Sequence, residues 1–326
     1  MKIALVGFGN VGSAFIELLY EQREHLAKQY KFKPKVIAVI ARRGTALSKT
    51  GFKRAADVKF DGKAILYEKA IRDAEVIVEV TPTDVQTGGI ALEHCRVALK
   101  MGKHVVTANK GPLVVAYREL EKLARQKKVQ LRFEGTVMGG IPSMILGLDV
   151  MSIANIQEVR GIFNSTTNFI LAEMESGRTY ADALKTAQER GYAETDPTAD
   201  VEGWDAAAKA AIIANTLMGG DLRINDVDRE GITKITPQMI TDAKEKNSRW
   251  KLIANVKRTD SGVTASARPM LLSYDDPLAQ VNGAASALTY FTDVLAPITL
   301  IGSGAGGKAT SFALLTDLIR IHVGNG

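Results

Sequence analysis

Short apolar runs alternate with longer helical patterns over roughly the first 140 residues. Ile3-Ala4-Leu5-Val6, Val36 to Ile40, Val76 to Val80, Val105-Val106 and Val129 to Phe133 are nearly continuous in apolar, β-branched character. Strands buried on both faces of a parallel sheet have that character. Between them, Ser13 to Lys28 and Val115 to Gln126 carry helical patterning. Alternating βα units predict an α/β fold, a Rossmann-type doubly wound parallel sheet. After about residue 150 the rhythm changes. Ile156 to Phe163 and Val263 to Leu272 are expected as strands. Asn168 to Ser176, Tyr180 to Arg190, Trp204 to Met218 and Thr310 to Val323 are expected as helices. The charged segment Asp242 to Arg249 is expected as a solvated helix face. Runs of helices and strands without βα alternation predict a second, α+β domain. The expected division is 1–135 with the C-terminal 303–326 for nucleotide binding, and 136–302 for the second domain.

The 326 residues suit two domains of ordinary size. The longest unbroken apolar run is six residues, Val36 to Ala41, whereas a membrane span needs about 20. No membrane association is expected, and Met1-Lys2 leads straight into a strand-like segment with no signal peptide. One cysteine, Cys95, excludes an intrachain disulfide and a multi-cysteine metal site. These features suit a cytoplasmic protein. The net charge of +6 is spread along the chain with acidic residues interleaved. A nucleic-acid footprint would be clustered, so no nucleic-acid partner is expected.

Gly7-Phe8-Gly9-Asn10-Val11-Gly12 is a GxGxxG that follows a strand and opens a helix. In that context its glycines permit a tight turn, close approach of a pyrophosphate and helix–strand packing. The helix N-terminus then offers free N–H groups to phosphate. An NAD-specific fold usually carries an acidic residue at the end of the second strand. None occurs from Lys31 to Ala56, and the strand ends in Ala41-Arg42-Arg43. A guanidinium there suits a 2′-phosphate, which predicts a preference for NADP(H) over NAD(H); the alternative is a solvated basic loop. Thr81 and Lys110 lie in loops after two further strands, where ligands of open α/β sheets bind.

Polar chemistry is densest in the second half. Five carboxylates fall within the twelve residues Glu194 to Asp205, and Lys209 follows. Asp205 and Lys209 are four apart and share a helix face. A plain surface pair is one reading. The largely apolar helix that carries them favours the edge of a cleft, where carboxylates take an ammonium and a lysine serves a reacting oxygen.

The segment Ala187 to Lys209 resembles the signature of homoserine dehydrogenases: an Ala, then Gly-Tyr-Ala-Glu, Asp-Pro, Asp, Gly, Asp and Lys at fixed spacings. Phe8 to Gly12, Thr107 to Pro112, Phe133 to Pro142, Asn164 to Leu171 and Gly302 to Gly306 resemble further family segments in the same order. The resemblance implies a usually dimeric NAD(P)-dependent enzyme that interconverts L-homoserine and L-aspartate 4-semialdehyde, in threonine, methionine and isoleucine biosynthesis. It implies Lys209 as proton donor and acceptor for the substrate oxygen, and Lys110 as a second active-site lysine beside the nicotinamide. Glu194 would bind the amino group, with Asp200 and Asp205 at the substrate's polar end and Thr166 nearby. Gly304 and Gly306 would return to the cofactor. A sodium ion would be held by Glu134, Val137, Gly139 and Ile141, largely through carbonyls. Ser165 stands where the family often has Gly, and Ala309 where Pro is common. The chain ends soon after its last helix, so neither an ACT-type regulatory domain nor an aspartate kinase domain is expected.

Asp205 should orient Lys209, which would stabilise and protonate the developing oxyanion. Two rival readings remain. A thioester-forming dehydrogenase needs a reactive cysteine, whereas Cys95 sits in an amphipathic pattern that reads as core. A non-catalytic NADP sensor would have no reason to keep both lysines and the carboxylate cluster.

Overall fold

The computed structural model of the chain describes residues 1–62 and 65–324. It divides into two compact units, Met1–Pro142 with Ala305–Gly326, and Ser143–Gly304.

The first unit is built on six strands: β1 Lys2–Val6, β2 Lys35–Ala41, β3 Gly44–Leu47, β4 Val76–Glu79, β5 His104–Thr107 and β6 Leu131–Arg132. Their order is β3-β2-β1-β4-β5-β6. All neighbours are parallel except β3, which returns antiparallel to β2 with Ala41 opposite Gly44. Arg42 and Arg43 are therefore the tip of a two-residue hairpin, not the start of an irregular basic loop. Successive strand residues point to opposite faces, and both faces are covered. Ile3, Leu5, Val36 and Val76 pack with Phe15, Leu19, Leu314 and Leu318. Ala4, Val6, Ile77 and Val105 pack with Leu92, Cys95, Leu99 and Leu120. This is why the strands read as unbroken apolar runs.

The helix expected from Val115 begins at Lys110 and runs to Lys127, with an interruption at Ala116 (φ −148°). Asn109 caps it by accepting the Gly111 N–H at 3.0 Å. Pro112 is tolerated because the first turn of a helix has no N–H partners to lose.

The second unit carries β7 Ile156–Ile162, β8 Asp228–Arg229, β9 Ser248–Thr259, β10 Gly262–Ser273, β11 Ser286–Thr292 and β12 Ile298–Gly302. Their order is β12-β11-β7-β9-β10-β8, antiparallel except for β8 beside β10. The segment expected as a helix to Arg249 leaves the helix at Glu245, turns at Asn247 (φ +48°) and enters β9 at Ser248. Helix Trp204–Leu217 packs on β9 and β10, with Ala206 to Ala208 and Ala210 to Asn215 buried. Asp205 and Lys209 are left half-buried on its remaining face.

Candidate active site

In the first unit the glycine-rich turn joins β1 to helix Asn10–Glu21. Gly7 has φ +101°, and a Cβ there would lie 2.5 Å from the Val80 carbonyl oxygen, so both the turn and the approach of β4 require glycine. A Cβ on Gly9 would meet nothing within 4 Å, leaving the backbone open to a ligand. The helix that follows has no side-chain cap, so its first N–H groups remain available to an anion.

A cavity of about 1060 Å³ opens around this turn, where strand order reverses between β1 and β4. Gly7 to Val11 line one wall, Arg42 and Arg43 another, and Thr81 and Lys110 a third. Gly12 lies beneath, buried against the Gly7 carbonyl. The Arg43 guanidinium sits over Phe60 at 4.7 Å and Phe8 at 5.6 Å from the ring centroids, which holds its position. From the C-terminal segment it is Thr310 that reaches the cavity; Gly304 and Gly306 are outside its lining.

Thr81 and Lys110 are tied together by groups that sequence patterning did not single out. Glu79, fully buried at the end of β4, accepts the Thr81 N–H at 3.2 Å and the Thr81 hydroxyl. The Asn109 amide donates to the carbonyls of Thr81 at 2.9 Å and Pro82 at 3.2 Å. Its oxygen caps the helix that Lys110 begins. One asparagine thus fixes both strand-end segments. His94 stands 3.6 Å from the Glu79 carboxylate and also lines the cavity. Cys95 is buried, and burial pushes its thiol up, the opposite of what a nucleophile needs.

Glu134 is buried, and its N–H donates to the buried Asp317 carboxylate at 2.9 Å. Burial pushes the Asp317 carboxyl up to about 8. Val137 and Ile141 are buried, and between them Met138 and Gly139 are both left-handed (φ +58° and +59°). The described residues hold no cluster of three or more His, Cys, Asp or Glu suited to a metal. One buried carboxylate on a tight turn of carbonyls is nonetheless a donor set that a hard, oxygen-seeking monovalent cation fits.

In the second unit the Lys209 ammonium donates to Asp205 Oδ2 and to the Phe163 carbonyl, both at 2.6 Å. Asn164 Nδ2 donates to Asp200 at 2.6 Å and to Asp205 at 2.9 Å. The Asn164 oxygen accepts the Thr167 N–H at 2.9 Å and caps helix Ser165–Glu175. The Thr166 hydroxyl donates to the Tyr192 carbonyl at 2.7 Å. Asp200, Asp205, Thr166 and Lys209 are thus drawn to the start of one helix. Glu194 lies in the adjoining loop, exposed, with its carbonyl held by Gln188 at 3.1 Å. Burial, and then the neighbouring charge of Asp205, raises the Asp200 carboxyl above its ordinary value; Asn164 and Lys209 oppose that rise. Asn164 organises the cluster. Its position one residue before Ser165-Thr166-Thr167 is a helix-cap signal, but nothing local links it to two aspartates 36 and 41 residues away.

A glycine turn, an open helix end and strand-end loops on one sheet, with a lysine–carboxylate cluster in a second unit, define an oxidoreductase of the NAD(P)-dependent class. The homoserine dehydrogenase NAD-binding domain model matches residues 7–134, and the homoserine dehydrogenase family model matches residues 143–319. An "NAD(+)-dependent homoserine dehydrogenase" of Pseudomonas canavaninivorans is 40% identical, over 98% of this chain and 96% of that one. A crystal structure from Archaeoglobus fulgidus, provisionally assigned as a homoserine dehydrogenase, aligns with TM-score 0.88 at 39% identity over 99% of both chains. A hyperthermophilic archaeal homoserine dehydrogenase in complex with NADPH aligns with TM-score 0.80 at 28% identity, over 99% of this chain and 98% of that one. The chain belongs to the homoserine dehydrogenase family.

Proposed function

We propose that the chain reduces L-aspartate 4-semialdehyde to L-homoserine, and the reverse, with Lys209 moving the proton at the substrate oxygen. The single observation that carries this is the half-buried ammonium of Lys209, aimed by Asp205 and the Phe163 carbonyl at 2.6 Å each. A dinucleotide held by the glycine turn would supply or take up the hydride in this reaction. Lys209 stabilises the negative charge that develops on the oxygen and delivers a proton to it. In the oxidative direction the same group accepts that proton. Asp200 and Glu194 take the substrate ammonium, and Thr166 braces the loop between them. Lys110, at the start of its helix beside the glycine turn, adds positive charge near the nicotinamide. The family resemblance would bring Gly304 and Gly306 back to the cofactor, although neither lines the cavity.

Arg42 and Arg43 support a preference for NADP(H), because they supply charge where an NAD-specific fold places a carboxylate. The relative named for NAD⁺ dependence favours the other dinucleotide. Glu134, with the carbonyls of Val137, Gly139 and Ile141, would hold a sodium ion whose charge stiffens that turn. Assembly as a homodimer is supported by the apolar side chains that the second unit exposes, among them Leu271, Val294, Leu295 and Ile301; sedimentation gives the mass. No described helix is long and apolar enough to cross a membrane.

The decisive experiment is homoserine oxidation at alkaline pH with NADP⁺ and NAD⁺ in parallel, on wild type and Lys209→Ala. The variant should lose more than about a hundredfold in kcat, as loss of an acid–base group does, while dinucleotide Kd holds. Wild-type turnover in the variant would sink the assignment.

A further inference from the structure

Lys251 is the largest charged side chain in the core. It lies on β9, fully buried. Its ammonium donates to Asn168 Oδ1 at 2.8 Å and to the Val281 carbonyl at 2.6 Å. Among the described residues it makes no ion pair. The charges that act on it are Glu175, from the helix packed against it, and Arg249, two residues away on its own strand. Arg249 itself stands 3.7 Å from Glu175. Burial pushes the Lys251 ammonium down to about 8 from 10.5, with Glu175 opposing and Arg249 adding to the fall.

A buried cation without a carboxylate partner is a costly way to fill space, and an apolar isostere is often neutral or better for stability. The place of its partners suggests a use. The Asn168 amide donates to the carbonyls of Val281, Gly283 and Ala285 at 3.1, 3.0 and 3.1 Å. Lys251 and Asn168 therefore staple helix Ser165–Glu175 to the segment that leads into β11. Asn168 is four residues, one helical turn, beyond Asn164. Asn164 holds Asp200 and Asp205, and Thr166 between them holds Tyr192. β11 pairs with β7, which runs into Phe163, the carbonyl partner of Lys209. Both of these routes from the staple end at the carboxylate–lysine cluster.

We infer that Lys251 is a positioning residue for the homoserine site, acting through Asn168 on the first turn of helix Ser165–Glu175. The inference rests on Asp200, Asp205 and Lys209 forming that site. It does not bear on the nucleotide cavity of the other unit.

The test uses the full chain with Lys251→Met, Asn168→Ala and the double variant. Homoserine KM should rise about five- to tenfold in each single variant, the range expected when a binding group shifts by one weak hydrogen bond or so. Dinucleotide Kd should stay within about twofold of wild type. Because both changes cut one staple, the double variant should be no worse than the worse single, a coupling that independent sites do not show. A second readout moves only if the lysine is charged and buried. In wild type the native state releases this proton near pH 8 and the unfolded chain only near 10.5. Across that window the unfolded state binds more protons, so this group makes stability rise with pH. Lys251→Met should remove that rise.

Homoserine KM within twofold of wild type in both folded variants, or effects that simply add, overturns the inference. If Lys251→Met does not fold, Asn168→Ala, which leaves Lys251 its Val281 carbonyl, carries the kinetic arm alone. Loss of turnover in Lys209→Ala beside normal KM in these variants overturns this inference and leaves the site reading standing. Undiminished turnover in Lys209→Ala overturns both.

Discussion

Asp200 and Asp205 are two carboxylates held on one amide, that of Asn164. Such an arrangement is unfavourable without a cation to share, and Lys209 supplies one, 2.6 Å from Asp205. The sign of the consequence follows from Asp200, whose folded carboxyl is raised by burial and by Asp205. From its ordinary value upward the unfolded chain loses this proton before the native state does. The native state then binds more protons, and stability through this group falls as pH rises to the folded value. Asp200→Asn should therefore unfold at higher temperature than wild type near pH 7, with the gap closing as the pH is lowered toward the ordinary carboxylate range. If Asp200 takes the substrate ammonium as proposed, the same change should raise homoserine KM about tenfold, because a charged hydrogen bond is worth about 1.5–3 kcal/mol. Calorimetry across pH and steady-state kinetics check the two halves. A variant both less stable and unchanged in KM would contradict them.

Asn109 does for the first unit what Asn164 does for the second: each caps a helix and uses its other end to hold a distant segment. Asn109→Ala should cost about 1 kcal/mol of cap energy and free the Thr81 and Pro82 carbonyls. The Lys110 turn would then lose its register with the cavity wall, raising dinucleotide Kd about fivefold; titration calorimetry reads it. Sequence patterning revealed less here than around the strands. β1, β2, β4 and β5 were legible because burial on both faces leaves a local trace, an unbroken apolar run. The helix start at Lys110 was not, because Gly111 and Pro112 read as loop until Asn109 is seen to cap them. β9 was hidden for the same kind of reason. Arg249 and Lys251 look like solvent-facing charge, and only partners 30 and 83 residues away make the burial of Lys251 tolerable. The glycine turn, the two lysines and the carboxylate run were visible as residue types. Asn109 and Asn164 carry a local cap signal at most, and the contacts by which they set that geometry join distant segments.

The two units divide the chemistry. The glycine turn, Arg42, Arg43, Thr81 and Lys110 belong to the first, while Asp200, Asp205 and Lys209 belong to the second. Perturbing one should leave the other's ligand alone, and dinucleotide choice is the cleanest case. The hairpin tip at Arg42-Arg43 presents two guanidiniums to the cavity. Arg43 is held over Phe8 and Phe60, whereas Arg42 makes no ion pair among the described residues. A held guanidinium loses little freedom when it meets a phosphate, and Arg42 has no competing ion pair among the described residues to give up. If they read a 2′-phosphate, Arg42→Ala and Arg43→Ala should each weaken NADPH about tenfold or more, the worth of one charged hydrogen bond. NADH, which lacks that phosphate, should shift by less than about twofold, and homoserine KM should not move. The loss for NADPH should shrink as salt is raised, since the hairpin tip is exposed and its charges are screened. Equal losses for both dinucleotides would assign the arginines to the shared pyrophosphate. No loss for either would leave them as surface charge, and the preference would then have to lie in another part of the first unit.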